Sequence, residues 1–546
     1  MKIGLTYGHV ASNIGDICIN QGIVNILEQI DSQIELYVII RNPNKVYLES
    51  SIESFNSNIS IEFKYLQTPK NEQENIDILN YYISKPEEFL KDTGLTDVDV
   101  ILNNSGEFIF AYKNDPRTDL LWRLLPLLAA KKVGKKFVTF PSTLGPFDDY
   151  TSTKLINEFL IKQDRFFVRE TASKKITENL IQQKVTELLD PAFFIKEKSS
   201  KKNTEEFSFI MRLDDFGLRI GGRESSTNYR QFKETGFEET LAFKFTYRTI
   251  KKIIAEYNHP KIRIFIQTRY DEDLAYKLKD KLISEKYDDI VTIEKPISIE
   301  DYIDKLSTSS YVISSRFHGC ILALLANTMP MGVYFESHGH KIPGLYNMLN
   351  IDEYCELIND DNIDIAVNTT LAKFIDRERA LDEAKTNISS YKDKTIKSLA
   401  EAIANGESYS ENLPNVLLYK DFVNHLINNR IKEDQENLIS ENKILKREMH
   451  DIKKISGDLK ANNKEYSKEK LHEVKHLKED IYNLEQKIEE LETQLREFQS
   501  QNFSSLDYQN EKISGLSRRL DYIGKSPFYR ARRKVKRFMD SKKTKR

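Results

Sequence analysis

The amino-acid sequence predicts an α/β protein with two parallel-sheet domains, followed by a long helical coiled coil. Three observations carry this. Short apolar runs alternate with amphipathic stretches through the first half, the same alternation restarts near Phe207 after a polar break, and beyond about Thr369 strand signals give way to charged heptads. With 546 residues, 39% of them hydrophobic, the chain can supply cores for two or three domains.

The first domain, residues 1–196, reads as "KIGLTYG", "ICINQGIVNILEQI", "IELYVII", "VDVILNNSGEF", "LLWRLLPLLAAKKVG" and "KFVTFPSTLGPF", strand-like and helix-like stretches in alternation. After "LLDPAFFI" the polar "KEKSSKKNTEE" has no apolar period and reads as the linker. The second domain, residues 206–370, begins with "FSFIMRL" and continues through "TLAFKFTYRTIKKIIAEYN", "KIRIFIQT", a charged helix from Asp271, "IVTIEKP", "YVISS", "ILALLAN" and "MGVYFES". Two such domains leave a cleft where the carboxyl ends of both sheets face one ligand.

A helical closing segment, residues 371–430, leads into a coiled coil at residues 431–500. Leu477, Ile481, Leu484, Ile488, Leu491, Leu495 and Phe498 recur at steps of four and three, the spacing of a seam that needs a partner helix. An earlier block, Leu438, Leu445, Met449, Ile452 and Leu459, keeps a shifted phase, which predicts a break near Asn462, Asn463 and Lys464. A homo-oligomer through this seam is expected. The tail at residues 525–546 holds one acidic residue, Asp540, among many Lys and Arg; Phe528, Val535, Phe538 and Met539 share one helix face. Such a helix suits an anionic membrane surface, and several copies on one coiled coil strengthen weak binding.

Formal net charge is −2, which gives no global excess for nucleic acid, and no nucleic-acid partner is expected. Cys18, Cys320 and Cys355 are too few and too irregularly spaced for a disulfide framework, and a reducing cytoplasm fits them. The N-terminal "MKIGLTYGHVASNIGD" has no long apolar run, so neither a signal peptide nor a membrane span is expected. The expected location is cytoplasmic, peripheral at the inner face of the cell membrane.

The stretch "VISSRFHGCILALL" sets Arg316, His318 and Gly319 between a strand and a helix. There free N–H groups at the helix start meet the strand's carboxyl end, an arrangement that binds anions. Arg316 offers a planar fork to a carboxylate or phosphate, and His318 can hold a ligand or move a proton near neutral pH. Arg212 occupies the corresponding strand end in "FIMRLDD", followed by Asp214 and Asp215, which suit pairing or capping. In the first domain, Asn13, Gly15 and Asp16 form a close-approach turn. "NNSGEF" offers Ser105 to sugar hydroxyls and Glu107 to proton transfer. Neither a dinucleotide glycine pattern nor a Walker A lysine is present, so no cofactor is expected. His338 and His340 lack further ligands at metal spacing; with Lys341 they read as cleft lining, and no metal is expected.

The ordered motifs "NIGD", "VILNNSGEF", "TFPSTLGPF", "FFVRETASKKI", "LLDPAFFI", "FIMRLDD", "VISSRFHGCILALLANTMPMGVYF" and "KIPGLYNMLNI" resemble the polysaccharide pyruvyl transferase family over roughly residues 1–355. The resemblance implies two Rossmann-like domains in a glycosyltransferase-B-like arrangement, with the acceptor on the first and the donor on the second. It also implies transfer of a pyruvyl group from phosphoenolpyruvate to a saccharide, polymeric or lipid-linked, with a cyclic ketal formed and phosphate released. Arg212, Arg316 and His318 match the family's phosphoenolpyruvate contacts. Phe317 stands where leucine is commoner, and Asn103 to Glu107 replace a glycine cluster. Two other functions are open to the residues alone: a glycosyltransferase using a nucleotide sugar, or a non-catalytic saccharide-binding scaffold.

The tail's role is directly testable. A chain ended near Ser500 should no longer sediment with anionic liposomes, whereas the full chain should; retained sedimentation contradicts a membrane role for the tail.

Overall fold

In the computed structural model, fourteen strands form two parallel sheets among the described residues. Described are residues 1–8, 13–41, 45–66, 69–113, 116–198, 203–213, 236–335, 340–404, 413–461, 483, 486, 489 and 493. The strands are β1 (Lys2–Thr6), β2 (Glu35–Arg41), β3 (Ser60–Leu66), β4 (Val100–Asn103), β5 (Glu107–Ala111), β6 (Lys136–Phe147), β7 (Arg165–Val168) and β8 (Thr186–Glu187) in the first sheet. The second holds β9 (Asn203–Ile210), β10 (Lys261–Phe265), β11 (Val291–Glu294), β12 (Ser309–Ser314), β13 (Pro330–Phe335) and β14 (Cys355–Ile358).

The first sheet runs β3-β2-β1-β4-β6-β7-β8 with β5 attached to β6; the second runs β11-β10-β9-β12-β13-β14. Each therefore reverses direction beside its own first strand, between β1 and β4 and again between β9 and β12, the doubly wound order of a Rossmann-like domain. Helices cover both faces, which is why central strands such as "VILN" are buried throughout rather than alternating.

Local chemistry sets the helix starts. Asn13, Asp149, Thr240 and Ser298 each accept a first-turn N–H, and the acidic Glu170 does the same for Ser173. The polar linker is shorter than its composition predicts, because Asn203 to Glu206 enter β9. Glu206 belongs in the strand for a physical reason: its carboxylate accepts from Arg263 at 2.6 Å and Thr308 at 2.8 Å.

The helix Arg377–Ala404 returns to the first domain, where Thr395 Oγ1 accepts from Leu189 N at 3.0 Å and the Ile403 carbonyl accepts from Lys136 Nζ at 3.2 Å. The chain divides into two compact units, Met1–Lys70 with Ile78–Phe422, and Asn71–Asp77 with Val423–Arg546. A helix spans Val416–Ala461, so the first part of the expected seam is helical in backbone. The seam from Leu477 and the basic tail lie outside the described residues, as does the expected break after Ala461. Among the described residues no helix is long and apolar enough to cross a membrane.

One contact locks the start of the first domain to its end. The helix Ile14–Ile30 lies so close to the Pro191–Phe194 turn that a Cβ on Gly22 would stand 1.9 Å from the Pro191 carbonyl oxygen. Asn25 Nδ2 donates to the Phe194 carbonyl at 2.9 Å beside it. Backbone cannot yield cheaply there. Gly22→Ala should destabilise the fold by about 3 kcal/mol in urea denaturation, and an unchanged midpoint would contradict this packing.

Candidate active site

The second sheet builds its crevice from two strand ends. Ser314 of β12 pairs with Ile210 of β9, so Arg316 and Arg212, each two residues further on, emerge side by side at the point where the sheet's winding reverses. Ser315 N donates to the Ile210 carbonyl at 3.0 Å, and Arg212 N donates to Ser315 Oγ at 2.8 Å, which ties the two turns together. The helix Phe317–Leu325 starts at once, with Arg316 as its extended N-cap and no side chain capping its first turn. A Cβ on Gly319 would stand 2.5 Å from Ser314 Oγ, so only glycine lets the helix start fold onto the strand end.

The two arginines differ in their partners. Arg316 Nη2 donates to Asp271 and to Thr268 Oγ1, the latter at 3.1 Å, and both acceptors lie just beyond β10. Thr268 and Asp271 in turn form a capping box that holds them in place. Arg212 Nε is buried without a hydrogen-bond partner among the described residues. Burial and the neighbouring Arg316 push the Arg212 guanidinium down to about 10, against the opposing pull of Glu107 and Asp271. Two guanidiniums that repel each other at a strand end favour an anion between them.

The first domain closes over this corner. Asn13 Oδ1 accepts from Gly15 N at 3.0 Å and from Gln267 Nε2 at 3.4 Å, and the Asn13 backbone bridges Thr268. A Cβ on Gly15 would lie 2.5 Å from His318 Nδ1, so the turn rests flat against the imidazole. Asp16, half-buried, follows in the first helical turn. Lys341 pairs with Glu107 across the crevice. Burial opposes ionisation of Glu107, yet Lys341, Arg212 and His340 hold its carboxyl at about 2. A carboxyl held there is a carboxylate at neutral pH and has no proton to give, so of the two directions of proton transfer open to Glu107 only acceptance fits this state. Burial and the cations Arg212 and Arg169 lower Lys341, while Glu107 raises it.

Ser105 stands apart from these groups. It is fully buried and its hydroxyl donates to the Pro141 carbonyl, so it is committed to the fold between β4 and β6 rather than turned toward a sugar.

Four residues were missed by sequence reasoning: Arg169, Asp190, Thr268 and Asp271. His318 Nε2 lies 3.7 Å from Asp190 Oδ2, too far for a hydrogen bond but within ion-pair distance when the imidazole carries a proton. Asp190 is wholly buried and also accepts from Arg169 Nη1 at 2.7 Å and Ala192 N at 2.8 Å. Burial opposes its ionisation, but Arg169 and His318 hold its carboxyl at about 2. Arg169 lies 4.6 Å over the Phe317 ring, which gives the aromatic at that position a cation to cover. The signal was present in "VRE" and "DPAF", polar residues directly after β7 and β8, on the same edge as the other strand ends.

The neighbouring Glu170 marks a second contact between the domains. Burial raises its carboxyl to about 7 against the opposing Ser173 hydrogen bonds. A Cβ on Gly344 would meet Glu170 Oε2 at 2.4 Å, so the helix Lys341–Met348 sits on the first domain near both Glu107 and Glu170. Among the described residues no three His, Cys, Asp or Glu converge as metal ligands. His338, Asp214 and Asp215 lie outside the described residues.

The chain resembles in structure an O-GlcNAc transferase mutant of Thermobaculum terrenum (10% identity, 78% of this chain and 68% of that chain, TM-score 0.39). It also resembles a UDP-GlcNAc 2-epimerase of Neisseria meningitidis bound to UDP-GlcNAc (14%, 78% and 100%, TM-score 0.41). A third likeness is to a glycosyltransferase of Rickettsia africae (11%, 77% and 98%, TM-score 0.42). No curated protein matches the sequence. The sequence model of one family, polysaccharide pyruvyl transferase, matches residues 13–334, more than half of the chain and every strand from β2 to β12. The chain belongs to the polysaccharide pyruvyl transferase family.

Proposed function

We propose that the protein transfers the pyruvyl group of phosphoenolpyruvate to a cell-surface polysaccharide or its lipid-linked precursor, forming a cyclic ketal. The observation that carries this reading is the pair Arg212 and Arg316 beside an uncapped helix start, with Arg212 Nε buried and unpartnered among the described residues. Phosphoenolpyruvate has two anionic groups, a carboxylate and a phosphate, and two guanidinium forks with a helix N-terminus match that count.

The chemistry then falls to His318. As imidazolium it donates a proton to the methylene carbon of the enol, and the carbon bearing the phosphate becomes cationic. A first sugar hydroxyl adds to that carbon and loses its proton; a second displaces phosphate, whose leaving oxygen stays on the guanidiniums. The Asp190 carboxylate, kept ionised by Arg169, lies 3.7 Å from Nε2 and faces the imidazole from the side away from the enol. Glu107, a carboxylate in this state, is suited to accept a hydroxyl proton once a ligand draws Lys341 away.

Transfer of label from phosphoenolpyruvate to glycolipids of the host membrane, with equimolar phosphate release, tests the reading; labelled nucleotide sugars in parallel test the glycosyltransferase alternative. His318→Gln should lower transfer by about 10²- to 10⁴-fold, and Arg316→Ala by about 10²-fold or more. Full activity in either variant would contradict the scheme.

A further inference from the structure

The strand β5 carries a row of aromatics that the donor site does not use. Phe108 and Phe110 alternate with buried Ile109 and Ala111, and Tyr112 continues the row, so three half-buried rings lie along one face. The rings of Phe110 and Tyr112 are 4.9 Å apart. Two cations back them: the Arg123 guanidinium lies 3.8 Å from the Phe108 ring centre and 5.1 Å from that of Tyr7, and Arg117 lies 4.5 Å from that of Phe110.

Arg123 is the telling member. Its Nη1 is buried and has no hydrogen-bond partner among the described residues. A guanidinium nitrogen left in that condition is costly unless a ligand oxyanion completes it. Among the described residues, the charges that act on Arg123 include Arg41, which pairs with Asp119 at 2.9 Å, and Asp16 in the first helical turn. Arg117 is 3.9 Å from the same Asp119, so among the described residues Asp119 is shared between two of the three guanidiniums.

The row is also in the right part of the fold. β5 begins at Glu107, which faces the crevice through Lys341, and Tyr7 follows β1 at the first sheet's reversal point. Aromatic faces receive the apolar C–H faces of sugar rings, and a neighbouring guanidinium fixes a charged substituent.

We propose that Phe108, Phe110, Tyr112 and Arg123 form the acceptor subsite, and that it selects saccharides carrying an oxyanion, either a uronate carboxylate or a diphosphate link. This rests on the reading of the first domain as the acceptor side in pyruvyl transfer. It narrows that reading from any saccharide to an acidic one.

Titration calorimetry on the full chain tests it with three probes: a neutral oligosaccharide, the same length bearing a glucuronate, and a short-prenyl diphosphate disaccharide. At least one acidic probe should bind about tenfold or more tightly than the neutral one, and which one identifies the source of the oxyanion. Arg123→Gln should erase that preference, Phe110→Ala should weaken all probes, and neither should change phosphoenolpyruvate binding. If Arg123→Gln loses its thermal transition, Arg123→Lys carries the test, since it keeps the charge but not the fork and should reduce the preference. Equal binding of neutral and acidic probes, no binding of any probe, a preference that survives in folded Arg123→Gln, or one that is undiminished in Arg123→Lys overturns the proposal. Failure of phosphoenolpyruvate to bind the unaltered chain defeats the donor reading instead and leaves the acidic-probe comparison standing.

Discussion

Everything at the candidate site follows from two guanidiniums forced together where the second sheet reverses its winding. The register of β9 and β12 brings Arg212 and Arg316 to the same height, and Ser315 fastens their turns. Like charges in a partly dry crevice repel, so each must be balanced. Asp271 and Thr268 balance Arg316, but Arg212 is left with the field of Glu107 and a buried nitrogen without a partner among the described residues. The fold thus stores an unmet demand for an anion at one spot.

The two domains meet around that spot through residues that give up bulk or supply opposite charge. Gly15 and Gly344 let backbone approach His318 and Glu170, while Glu107 and Asp190 bring carboxylates toward Lys341 and the imidazole. Both carboxyls stay ionised despite burial because cations surround them. Such a junction is sensitive to what enters it. Glu107 and Lys341 both lie in the field of Arg212, so a change of charge at that guanidinium reaches both members of the ion pair.

Much of this was legible in the sequence because strand periodicity, turn glycines and polar strand ends are local signals. Arg316, Gly319 and Arg212 could be assigned to strand ends from a few residues on either side, whereas the order of the strands appears only in the structure. Glu206 shows where locality failed: it looks like linker, and only Arg263, far along the chain, explains its burial in β9. Ser105 failed for the same reason, since a serine after a strand reads as exposed until the Pro141 carbonyl is seen to take its hydrogen. Arg169 and Asp190 sat in recognisable motifs, yet their meeting with His318 depends on the packing of two domains. Electrostatic roles are the least local of all: nothing in "SGEF" announces a carboxyl held at about 2.

The central claim is that the reversal point of the second sheet is a site for a small donor with two anionic groups. Titration of the full chain with phosphoenolpyruvate, and in parallel with nucleotide sugars, tests it most directly when repeated on Arg212→Ala. The account predicts saturable phosphoenolpyruvate binding that falls by about tenfold or more in the variant. Binding that is absent, or that is unchanged without the Arg212 guanidinium, would contradict it.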